Sequence, residues 1–325
     1  MRFSSLLPAG LLALAQISSA VPTKTAKSRV VKRATVSDVP DVGYATLNGG
    51  TTGGNGGETT TVSSYEDLAA AVEGDNPKIV IVSGNISQAA DAVSVGSNTT
   101  IIGQGAVLDG FGLSIHAPNV IVRNIAIQNV EADFGDAIGI QEPEATNIWI
   151  DHCDLSSNMD QDKDYYDGLL DITHAADFIT VSNTKFHDHW KASLVGHSDS
   201  NGDEDTGHLR VTYANNHWVN INSRGPSLRF GSGHIINSFY DTINDGINVR
   251  SGGQVLVESN VFVGSSKPLY TVDEGGAVAN DNDFGEGENT APEGTLTSVD
   301  YEYTLLGSEN VEAAVVGVAG ATLEF

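Results

Sequence analysis

A strand-like run that recurs along the chain is the feature that most limits how this sequence can fold. Six such runs, rich in β-branched and aromatic residues, align at one shared position and read VRNIAI from Val122, IDHCDL from Ile150, VSNTKF from Val181, YANNHW from Tyr213, IINSFY from Ile235 and VESNVF from Val257. Their third residues are Asn124, His152, Asn183, Asn215, Asn237 and Ser259, so successive intervals are 28, 31, 32, 22 and 22. A recurring strand with irregular insertions is typical of a solenoid, in which each repeat stacks on its neighbours.

The interval between runs separates two all-β architectures. A β-sandwich would show a hairpin turn about every 8 to 12 residues. The longer intervals in this chain leave room for about three strands in each coil. We therefore predict an all-β chain folded as a right-handed, single-stranded parallel β-helix. The polar third position is expected to turn inward at a bend, where stacked Asn side chains can satisfy the backbone groups that the bend frees.

Helix signals are few and lie near the two ends of the chain. In SSYEDLAAAVEG, Ser63 with Glu66 three positions later forms a capping box, and Gly74 marks the end. We predict a short helix here that caps the N-terminal end of the coils. A second helix is predicted in SENVEAAVVGVAG, which begins at Ser308.

The N-terminal segment has the layout of a secretory leader. Arg2 precedes the apolar run LLPAGLLALA and the small residues ISSA, so we predict a signal peptide over residues 1–20. A propeptide over 21–33 is predicted to end at the dibasic pair Lys32–Arg33, and the β-helix domain is assigned to 34–325. No later segment approaches the roughly 18 apolar residues of a membrane span. The mature protein is therefore expected to be secreted and extracellular.

Two further features agree with export. The sequons NIS at Asn85 and NTT at Asn98 are candidate glycosylation sites. Cys153 is the only cysteine, so the stability of an exported protein must here come from packing and backbone pairing instead of a disulfide within the chain.

The charge balance excludes one class of partner. The sequence has a formal net charge of -26, from 16 basic and 42 acidic residues. Removal of residues 1–33 would take away six basic residues and no acid, which leaves a net charge of about -32. Such a chain is not expected to bind nucleic acid.

Four acidic positions stand out in the strand-rich region: Asp136, Asp151, Asp167 and Asp171. The even separation of Asp167 and Asp171 puts both on one face of a strand, and Asp136 lies in a similar position about one coil earlier. Three such carboxylates would repel one another unless a cation lies among them, and oxygen ligands favour Ca²⁺. The alternative is a solvated acidic surface. Zinc, suggested by His187 and His189, has no supporting HExxH or cysteine pattern.

The scarce basic residues are more informative than the abundant acids. Lys191 follows HDHW, and Arg224 and Arg229 lie on either side of Pro226, all beside strands of successive coils. Taken singly, each is as well explained as a salt-bridge partner on an acidic surface.

Four motifs in order resemble the extracellular pectate lyase family, in its fungal branch: NIWIDHCDLS at 147–156, DGLLDIT at 167–173, FHDHWKASLVGHSDS at 186–200 and NSRGPSLRFG at 222–231. The resemblance runs from about Gly49 to the C-terminus and implies the same parallel β-helix. It places Asp136, Asp167 and Asp171 on calcium-ligand positions and Lys191 and Arg229 on substrate-binding positions. Arg224 falls on the position of the proposed catalytic base.

The sequence departs from the family pattern at one position, and the resemblance leaves the role of one residue open. Some members carry another acid two positions before Asp136, where this chain has Phe134, which puts the number of calcium ligands in doubt. Asp151 and His152 of WIDH are taken as scaffolding beside the cleft. Arg224 could act as the base, or it could clamp a substrate carboxylate while a water molecule takes the proton.

The activity that the resemblance implies is calcium-dependent β-elimination of α-1,4-linked polygalacturonate, the pectate of plant cell walls, giving 4,5-unsaturated oligogalacturonides. Because an arginine base has a pKa above about 12, we expect an alkaline activity optimum. We also expect the protein to be a monomer. The alternatives are a pectin lyase, which acts on the methyl-esterified polymer without calcium, and a non-catalytic polysaccharide-binding β-helix. The NTD, GHG and RIK motifs of a hydrolytic polygalacturonase are absent from the sequence.

Overall fold

Strands dominate the part of the chain that this computed structural model describes, residues 33–325. The predicted signal peptide, and the predicted propeptide apart from Arg33, lie outside the described residues. In chain order the strands are β1 (Glu58–Val62), β2 (Lys78–Ser87), β3 (Val93–Val95), β4 (Thr99–Asp109), β5 (Leu113–Ile115), β6 (Val120–Arg123), β7 (Ala126–Gln128), β8 (Ile138–Gln141), β9 (Thr146–Asp151), β10 (Asp154–Ser156), β11 (Leu170–Thr173), β12 (Asp177–Ser182), β13 (Lys185–Lys191), β14 (Ser193–Val195), β15 (Arg210–Ala214), β16 (His217–Ser223), β17 (Ser227–Arg229), β18 (Ser232–Ile236), β19 (Phe239–Ile243), β20 (Asp245–Arg250), β21 (Gln254–Glu258), β22 (Val261–Val263), β23 (Lys267–Val272) and β24 (Gly276–Asn280). The helices are α1 (Tyr65–Val72), α2 (Gly202–Asp205) and α3 (Ser308–Val315).

The strands stack into three parallel faces, each built from strands one coil apart. The A face has the order β3, β5, β8, β11, β14, β17, β20, β23. The B face runs β6, β9, β12, β15, β18, β21, β24, and the C face runs β7, β10, β13, β16, β19, β22. The long strand β4 pairs with both β6 and β7, which joins the B and C faces at the N-terminal end. The predicted parallel β-helix is confirmed, with three strands in a typical coil.

A single left-handed residue makes the bend from the B face to the C face in each of the six aligned runs. The third-position residues all have φ between 48° and 57°: Asn124, His152, Asn183, Asn215, Asn237 and Ser259. The predicted bend therefore lies where the sequence placed it. Asn is enriched here because its short polar side chain tolerates the left-handed conformation better than most others.

The side chain that points into the coil belongs to the residue after the left-handed one. The prediction that the third residue of each run points inward was therefore wrong by one residue. Asn216 is fully buried; its Oδ1 accepts from Thr184 N at 2.8 Å, and its Nδ2 donates to Val181 O at 2.9 Å. Two coils on, Asn260 Oδ1 accepts from Ser238 N at 2.9 Å. The left-handed residue turns its own side chain out of the coil and its successor's side chain in.

The outward side chains of the bend hold the C-terminal segment against the coils. Asn237 Nδ2 donates to Thr304 O at 3.0 Å, and its Oδ1 accepts from Leu306 N at 3.0 Å. At an earlier coil, Asn124 Oδ1 accepts from Leu323 N at 2.7 Å. These third-position residues therefore dock the last part of the chain and do not fill the core.

Helix α1 covers the N-terminal end of the coil stack, as predicted, but its cap is shifted by one residue. Ser64 is the N-cap, and its Oγ accepts from Asp67 N at 3.2 Å, so the predicted pair Ser63 and Glu66 was wrong. Leu68 and Val72 are fully buried against the first coil. An open coil end would otherwise expose its apolar interior to water.

The predicted second helix is confirmed as α3, while the short helix α2 was not predicted. On α3, Val311 and Val315 pack with Phe239 on the outside of the C face. No helix among residues 33–325 is long and apolar enough to cross a membrane. The single cysteine, Cys153, is buried and free.

Five aromatic rings stack along the interior of the coils behind the C face. Phe186 lies 4.1 Å from Trp218, and Tyr240 lies 4.2 Å from Phe262, with near-parallel planes. Trp218 and Tyr240 are 5.6 Å apart and also parallel, and Phe284 extends the column beyond Phe262. Together with the aliphatic core, this column fixes the vertical alignment of the coils that carry the site described next.

Candidate active site

The three predicted metal-ligand carboxylates lie at the A face on two successive coils. Asp171 is in β11, paired in register with Gly139 of β8. Asp136 lies just before β8, and Asp167 lies just before β11. The turns that lead from the C face to the A face therefore bring all three to one edge of that face.

The side chains of Asp136 and Asp171 both pack against Gly168. Asp136 Oδ1 accepts from Gly168 N at 2.9 Å, and Asp171 Oδ1 accepts from Leu194 N at 2.9 Å. A Cβ at position 168 would collide with the Oδ1 atoms of both aspartates. Gly168 is therefore needed for the two carboxylates to lie this close together.

Burial and neighbouring negative charges raise the pKa of both of these carboxyls. Burial raises the pKa of Asp136 well above its usual value, and the negative charges of Asp171 and Asp167 raise it further. Burial likewise raises the pKa of Asp171 to about 7, although the positive charge of Arg224 and the N–H of Leu194 act in the opposite direction. Two such groups ionise fully only if a cation lies beside them.

The third carboxylate, Asp167, is turned towards solvent and a lysine. Its side chain is 43% exposed, and its Oδ1 lies 3.9 Å from Lys191 Nζ. Across residues 33–325, no three acidic, histidine or cysteine side chains converge closely enough to hold a metal ion. The structure thus brings Asp136 and Asp171 together, with Asp167 nearby but not converged on them.

The donor set nevertheless fits a hard divalent cation. The available ligands are carboxylate oxygens, which Ca²⁺ prefers. Asp136 and Asp171 have raised pKa values, which a bound positive charge would lower. Phe134, at the position of the fourth acid in some members of the family, offers no oxygen ligand from its side chain. Asp136, Asp167 and Asp171 are the residues that would hold the ion.

Lys191 is the last residue of β13, where the chain turns from the C face towards the A face. Its Nζ lies 3.0 Å from Asp164 Oδ1, in the acidic loop before β11. Its side chain is mostly buried, whereas that of Asp164 is mostly exposed. The ammonium group is therefore held at the cleft edge by an exposed partner that an anionic ligand could displace.

Arg224 lies between β16 and β17 in a left-handed conformation, with φ of 66°. Its carbonyl accepts from Ser193 N at 2.9 Å, which ties its main chain to β14. Its positive charge acts to lower the pKa of both Asp136 and Asp171, so the guanidinium lies within electrostatic range of that pair. In the described part of the chain this guanidinium has no hydrogen-bonding partner, which leaves all of its donors for a ligand.

Arg229, the last residue of β17, is more enclosed and already has a counter-ion. Its Nε donates to Asp199 Oδ1 at 2.5 Å, and its Nη1 donates to Gly196 O at 2.9 Å. Asp199 also accepts from Arg250 Nη2 at 3.1 Å. Sequence reasoning did not identify Asp199 or Arg250, because both are distant from Arg229 along the chain and only the stacking of coils brings them together.

Asp151 and His152 of WIDH belong to a network that joins neighbouring coils. Asp151 is buried, forms an ion pair with Arg123 at 2.9 Å, and accepts from Ser182 Oγ and Asn183 Nδ2. His152 Nδ1 lies 2.8 Å from Asp151 Oδ2. This network lies on the B face and at its bend, away from the carboxylates of the A face. Its contacts join coils, as scaffolding would, but it does not lie beside those carboxylates, where the sequence placed it.

The two histidines considered for zinc have different surroundings. His187 lies between two carboxylates, with Nε2 at 2.8 Å from Asp154 Oδ1 and Nδ1 at 2.8 Å from Asp188 Oδ2. His189 is buried with Nδ1 2.6 Å from Ser157 Oγ, and burial lowers its pKa to about 4. They do not share a set of ligands.

The two sequons also differ in their surroundings. Asn85 is exposed in β2. Asn98 is half-buried, and its Nδ2 donates to Asp75 O at 2.9 Å while its Oδ1 accepts from Asn119 Nδ2 at 2.8 Å. An attached glycan would break the first of these contacts at Asn98 but none at Asn85.

Comparison with known proteins identifies the family of the chain. A family model described as pectate lyase matches residues 9–314. The chain is 63% identical over 304 residues to a probable pectate lyase A of Aspergillus niger, covering 93% of each chain. It is 62% identical over 325 residues to one of Aspergillus fumigatus, covering 99% of each.

Solved structures show the same fold. A pectate lyase from Bacillus sp. N165, in complex with trigalacturonate, superposes with a TM-score of 0.76 at 30% identity, covering 87% of this chain and 99% of that one. Pectate lyase II from Xanthomonas campestris superposes with a TM-score of 0.73 at 25% identity, covering 86% of this chain and 98% of that one. The chain therefore belongs to the pectate lyase family and is a lyase of that family.

Proposed function

We propose that this lyase cleaves α-1,4-linked polygalacturonate by calcium-dependent β-elimination and releases oligogalacturonides with a 4,5-unsaturated end. The observation that carries the proposal is the pair of carboxylates that meet at Gly168, half-buried Asp136 and buried Asp171. Both have raised pKa values, and the positive charge of Arg224 acts to lower both of them. The complex of the Bacillus relative with trigalacturonate supports the same class of substrate.

The reaction breaks the C5–H bond and the C4–O bond, forms one C=C bond, and moves two protons. The proton on C5 of the sugar, next to the C6 carboxylate, is transferred to the base, a double bond forms between C4 and C5, and the bond from C4 to the glycosidic oxygen breaks. The leaving oxygen takes a proton from solvent. We assign the base to Arg224, whose main chain is held by Ser193 and whose side chain has no hydrogen-bonding partner among residues 33–325. To accept the proton its guanidine must first be neutral, which is why an alkaline optimum is expected.

The remaining residues bind and orient the anionic sugar. A Ca²⁺ ion held by Asp136, Asp167 and Asp171 would supply positive charge to a substrate carboxylate, where charge develops as C5 loses its proton. Lys191 and Arg229 would bind substrate carboxylates on successive coils, with donors in place before the substrate arrives. Binding of a polyanion by so acidic a chain requires this local positive charge.

A pectin lyase remains the nearest alternative, and the carboxylates argue against it. A methyl-esterified sugar is neutral at C6, so it has no charge for a metal ion to bridge. Two neighbouring carboxylates with raised pKa values destabilise, once ionised, a protein that has no cation to bind. A metal-bridged substrate that also carries carboxylates gives this pair a role, whereas a methyl-esterified one does not.

One assay tests the proposal. Polygalacturonate and methyl-esterified pectin are each incubated with the enzyme, with Ca²⁺ or with a chelator, and the ultraviolet absorbance of unsaturated ends is followed. We expect absorbance from polygalacturonate only when Ca²⁺ is present, with an alkaline optimum. Activity that survives the chelator points to a pectin lyase; polymer binding without any product points to a non-catalytic β-helix. Reducing ends without absorbance would show hydrolysis.

We also propose that the mature protein is a secreted, extracellular monomer that begins near Ala34 and acts on plant cell walls. N-terminal sequencing and intact mass of protein from culture medium test the predicted removal of residues 1–20 and 21–33. Of the two sequons, Asn85 is expected to carry the glycan more fully, since its side chain is exposed and that of Asn98 is hydrogen-bonded. Full occupancy at Asn98 with none at Asn85 would contradict this.

A further inference from the structure

Asp199 links two arginines from successive coils of the A face. Its Oδ1 accepts from Arg229 Nε at 2.5 Å, and its two oxygens each lie 3.1 Å from Arg250 Nη2. Ser251 Oγ donates to the same Oδ1 at 3.1 Å. Arg229 and Arg250 are register partners in β17 and β20, so one carboxylate bridges neighbouring rungs of the sheet.

The loop that carries Asp199 is fitted closely to Arg229. It begins at Gly196, whose φ of 84° is left-handed, and a Cβ at that position would lie 2.8 Å from Arg229 Cβ. The carbonyl of Gly196 accepts from Arg229 Nη1 at 2.9 Å. Main chain and side chain of the same loop therefore bind two different nitrogens of one guanidinium.

These contacts determine which donors Arg229 can offer. A guanidinium has five N–H groups in a fixed plane. Asp199 takes the Nε donor and Gly196 takes one donor of Nη1, which leaves the Nη2 edge for a ligand. The rotation of the guanidinium plane is fixed as well, since two separated acceptors hold it.

Exposure of the two partners points to a role beyond stability. The side chain of Asp199 is 56% exposed, whereas that of Arg229 is 10% exposed. An exposed carboxylate contributes little to folding through an ion pair. Its contacts serve mainly to orient the buried guanidinium.

We propose that Asp199 is a positioning residue, which holds the guanidinium of Arg229 in the orientation that aligns a substrate carboxylate for elimination. This inference rests on the substrate-binding role proposed for Arg229. Asp199 also lowers the local positive charge, so its removal should not weaken attraction of the polyanion. Loss of Asp199 is thus expected to lower kcat without raising KM.

A double-mutant cycle tests this assignment. The wild type, Asp199→Asn, Arg229→Ala and the double variant are compared for kcat and KM by ultraviolet absorbance, with thermal unfolding as a check of folding. Asp273→Asn is the matched control, because Asp273 lies 3.8 Å from Arg250 Nη2 but has no contact with Arg229. We expect D199N to lower kcat about 10-fold when Arg229 is present and less than about 2-fold when it is absent. The control should stay within about 2-fold of the wild type.

Several outcomes would overturn the inference. An unchanged kcat in D199N, a raised KM with kcat retained, or equal losses in both backgrounds would each show that Asp199 does not act through Arg229. Failure of the proposed function gives a different result: wild type that cleaves only methyl-esterified pectin, or needs no Ca²⁺. The same double-mutant cycle is then measured on the polymer that is cleaved. The coupling between the Asp199 and Arg229 substitutions in kcat decides whether Asp199 acts through Arg229.

Discussion

The charged residues of the site are in unequal states before any ligand binds. Asp171 is buried and Asp136 is half-buried beside the same glycine, while Lys191 and Arg229 already contact Asp164 and Asp199. The guanidinium of Arg224 has no hydrogen-bonding partner within residues 33–325. An ammonium has three N–H donors, so Asp164 leaves donors of Lys191 for a sugar carboxylate, and Asp199 leaves one edge of Arg229 open. Both of the proposed substrate-binding cations can therefore bind an anionic sugar while keeping the partner they have.

The raised pKa values of Asp136 and Asp171 predict how pH acts on the ion-free protein. A carboxyl with a raised folded pKa contributes stability that is complete below its unfolded value, about 3.9. That contribution is lost as the pH rises through the folded value, about 7 for Asp171. The thermal midpoint measured in chelator should therefore fall between about pH 4 and about pH 8, and Ca²⁺ should restore it at the upper end.

Asp136→Asn checks the cause of that fall. Removal of one charge of the pair should make the fall smaller and abolish stabilisation by Ca²⁺, both measured by scanning fluorimetry. Asp133→Asn, which changes an exposed acid on the same loop, is the matched control and should behave like the wild type. Equal falls in both variants would assign the pH dependence to the overall negative charge instead.

Arg224→Lys separates the two roles left open for this residue. Lysine keeps the charge but has a compact ammonium on a different stem, so it cannot reproduce the planar set of donors. If Arg224 is the base, kcat should fall by roughly 10²-fold or more with little change in KM. A raised KM with kcat retained would make Arg224 a carboxylate clamp. Arg210→Lys, whose guanidinium is bound to Asp177 at the B face, is the control and should stay active.

At the level of secondary structure, successive coils are joined at the bend by a ladder of buried polar side chains. Asn216 satisfies Thr184 N and Val181 O from the coil before it, and Ser238 and Asn260 continue the column. Backbone groups freed by a bend must be paired when they are buried. Each of these coils therefore depends on a side chain of the next one.

Asn216→Ala should be costly because it leaves a buried N–H and a buried C=O without partners. We expect the free energy of unfolding to fall by about 2–4 kcal/mol in urea titrations. Asn215→Gly is the matched control: its side chain makes no hydrogen bond in the described residues, and glycine keeps the left-handed φ of 57°. A change within about 0.5 kcal/mol is expected there. Similar losses in the two variants would show that the bend itself, and not the inward ladder, is critical.

Much of this element structure can be predicted from sequence, with errors of one residue. The repeat located the left-handed bends at Asn124 and its equivalents, but period alone cannot show which of two adjacent polar residues points inward. The cap of α1 shifted from Ser63 to Ser64 for the same reason, since both serines precede an acid at the required spacing. Local patterns locate an element more reliably than they fix the direction of its side chains.

Only the site residues whose roles came with a recognised motif could be predicted from the sequence. The resemblance identified the residues that the A face brings together. Asp199 and Gly168 also lie inside quoted motifs, but the motifs do not show that Asp199 binds Arg229 or that a Cβ at position 168 would collide with two carboxylates. Those contacts join segments that are distant in sequence and depend on how many residues each coil contains. Because the coils differ in length, the partners cannot be read from a fixed offset.

Considered as a whole molecule, the protein carries a charge of the same sign as its proposed substrate. The sequence has a net charge of -26, and the predicted mature form about -32. Attraction is confined to the few cations at the A face, while repulsion acts over the whole surface. These two effects differ in range, so salt should separate them.

Raising ionic strength from about 10 mM to about 100 mM shortens the Debye length from about 30 Å to about 10 Å. Long-range repulsion should weaken more than the short contacts in the cleft, so KM for polygalacturonate should fall over this range at constant free Ca²⁺. A short trigalacturonate serves as the control, and its KM should change less. A KM that rises with salt for the polymer would show that the local positive charge dominates at all distances.

The three tryptophans lie in three separate environments, which gives the protein distinct optical reporters. Trp218 lies inside the aromatic column, Trp149 is 4.7 Å from the guanidinium of Arg123 at the outer wall, and Trp190 precedes Lys191 at the cleft edge. Variants that keep a single tryptophan would therefore emit from the core, the wall or the cleft alone. Fluorescence could then distinguish ligand entry at the cleft from loosening of the coils.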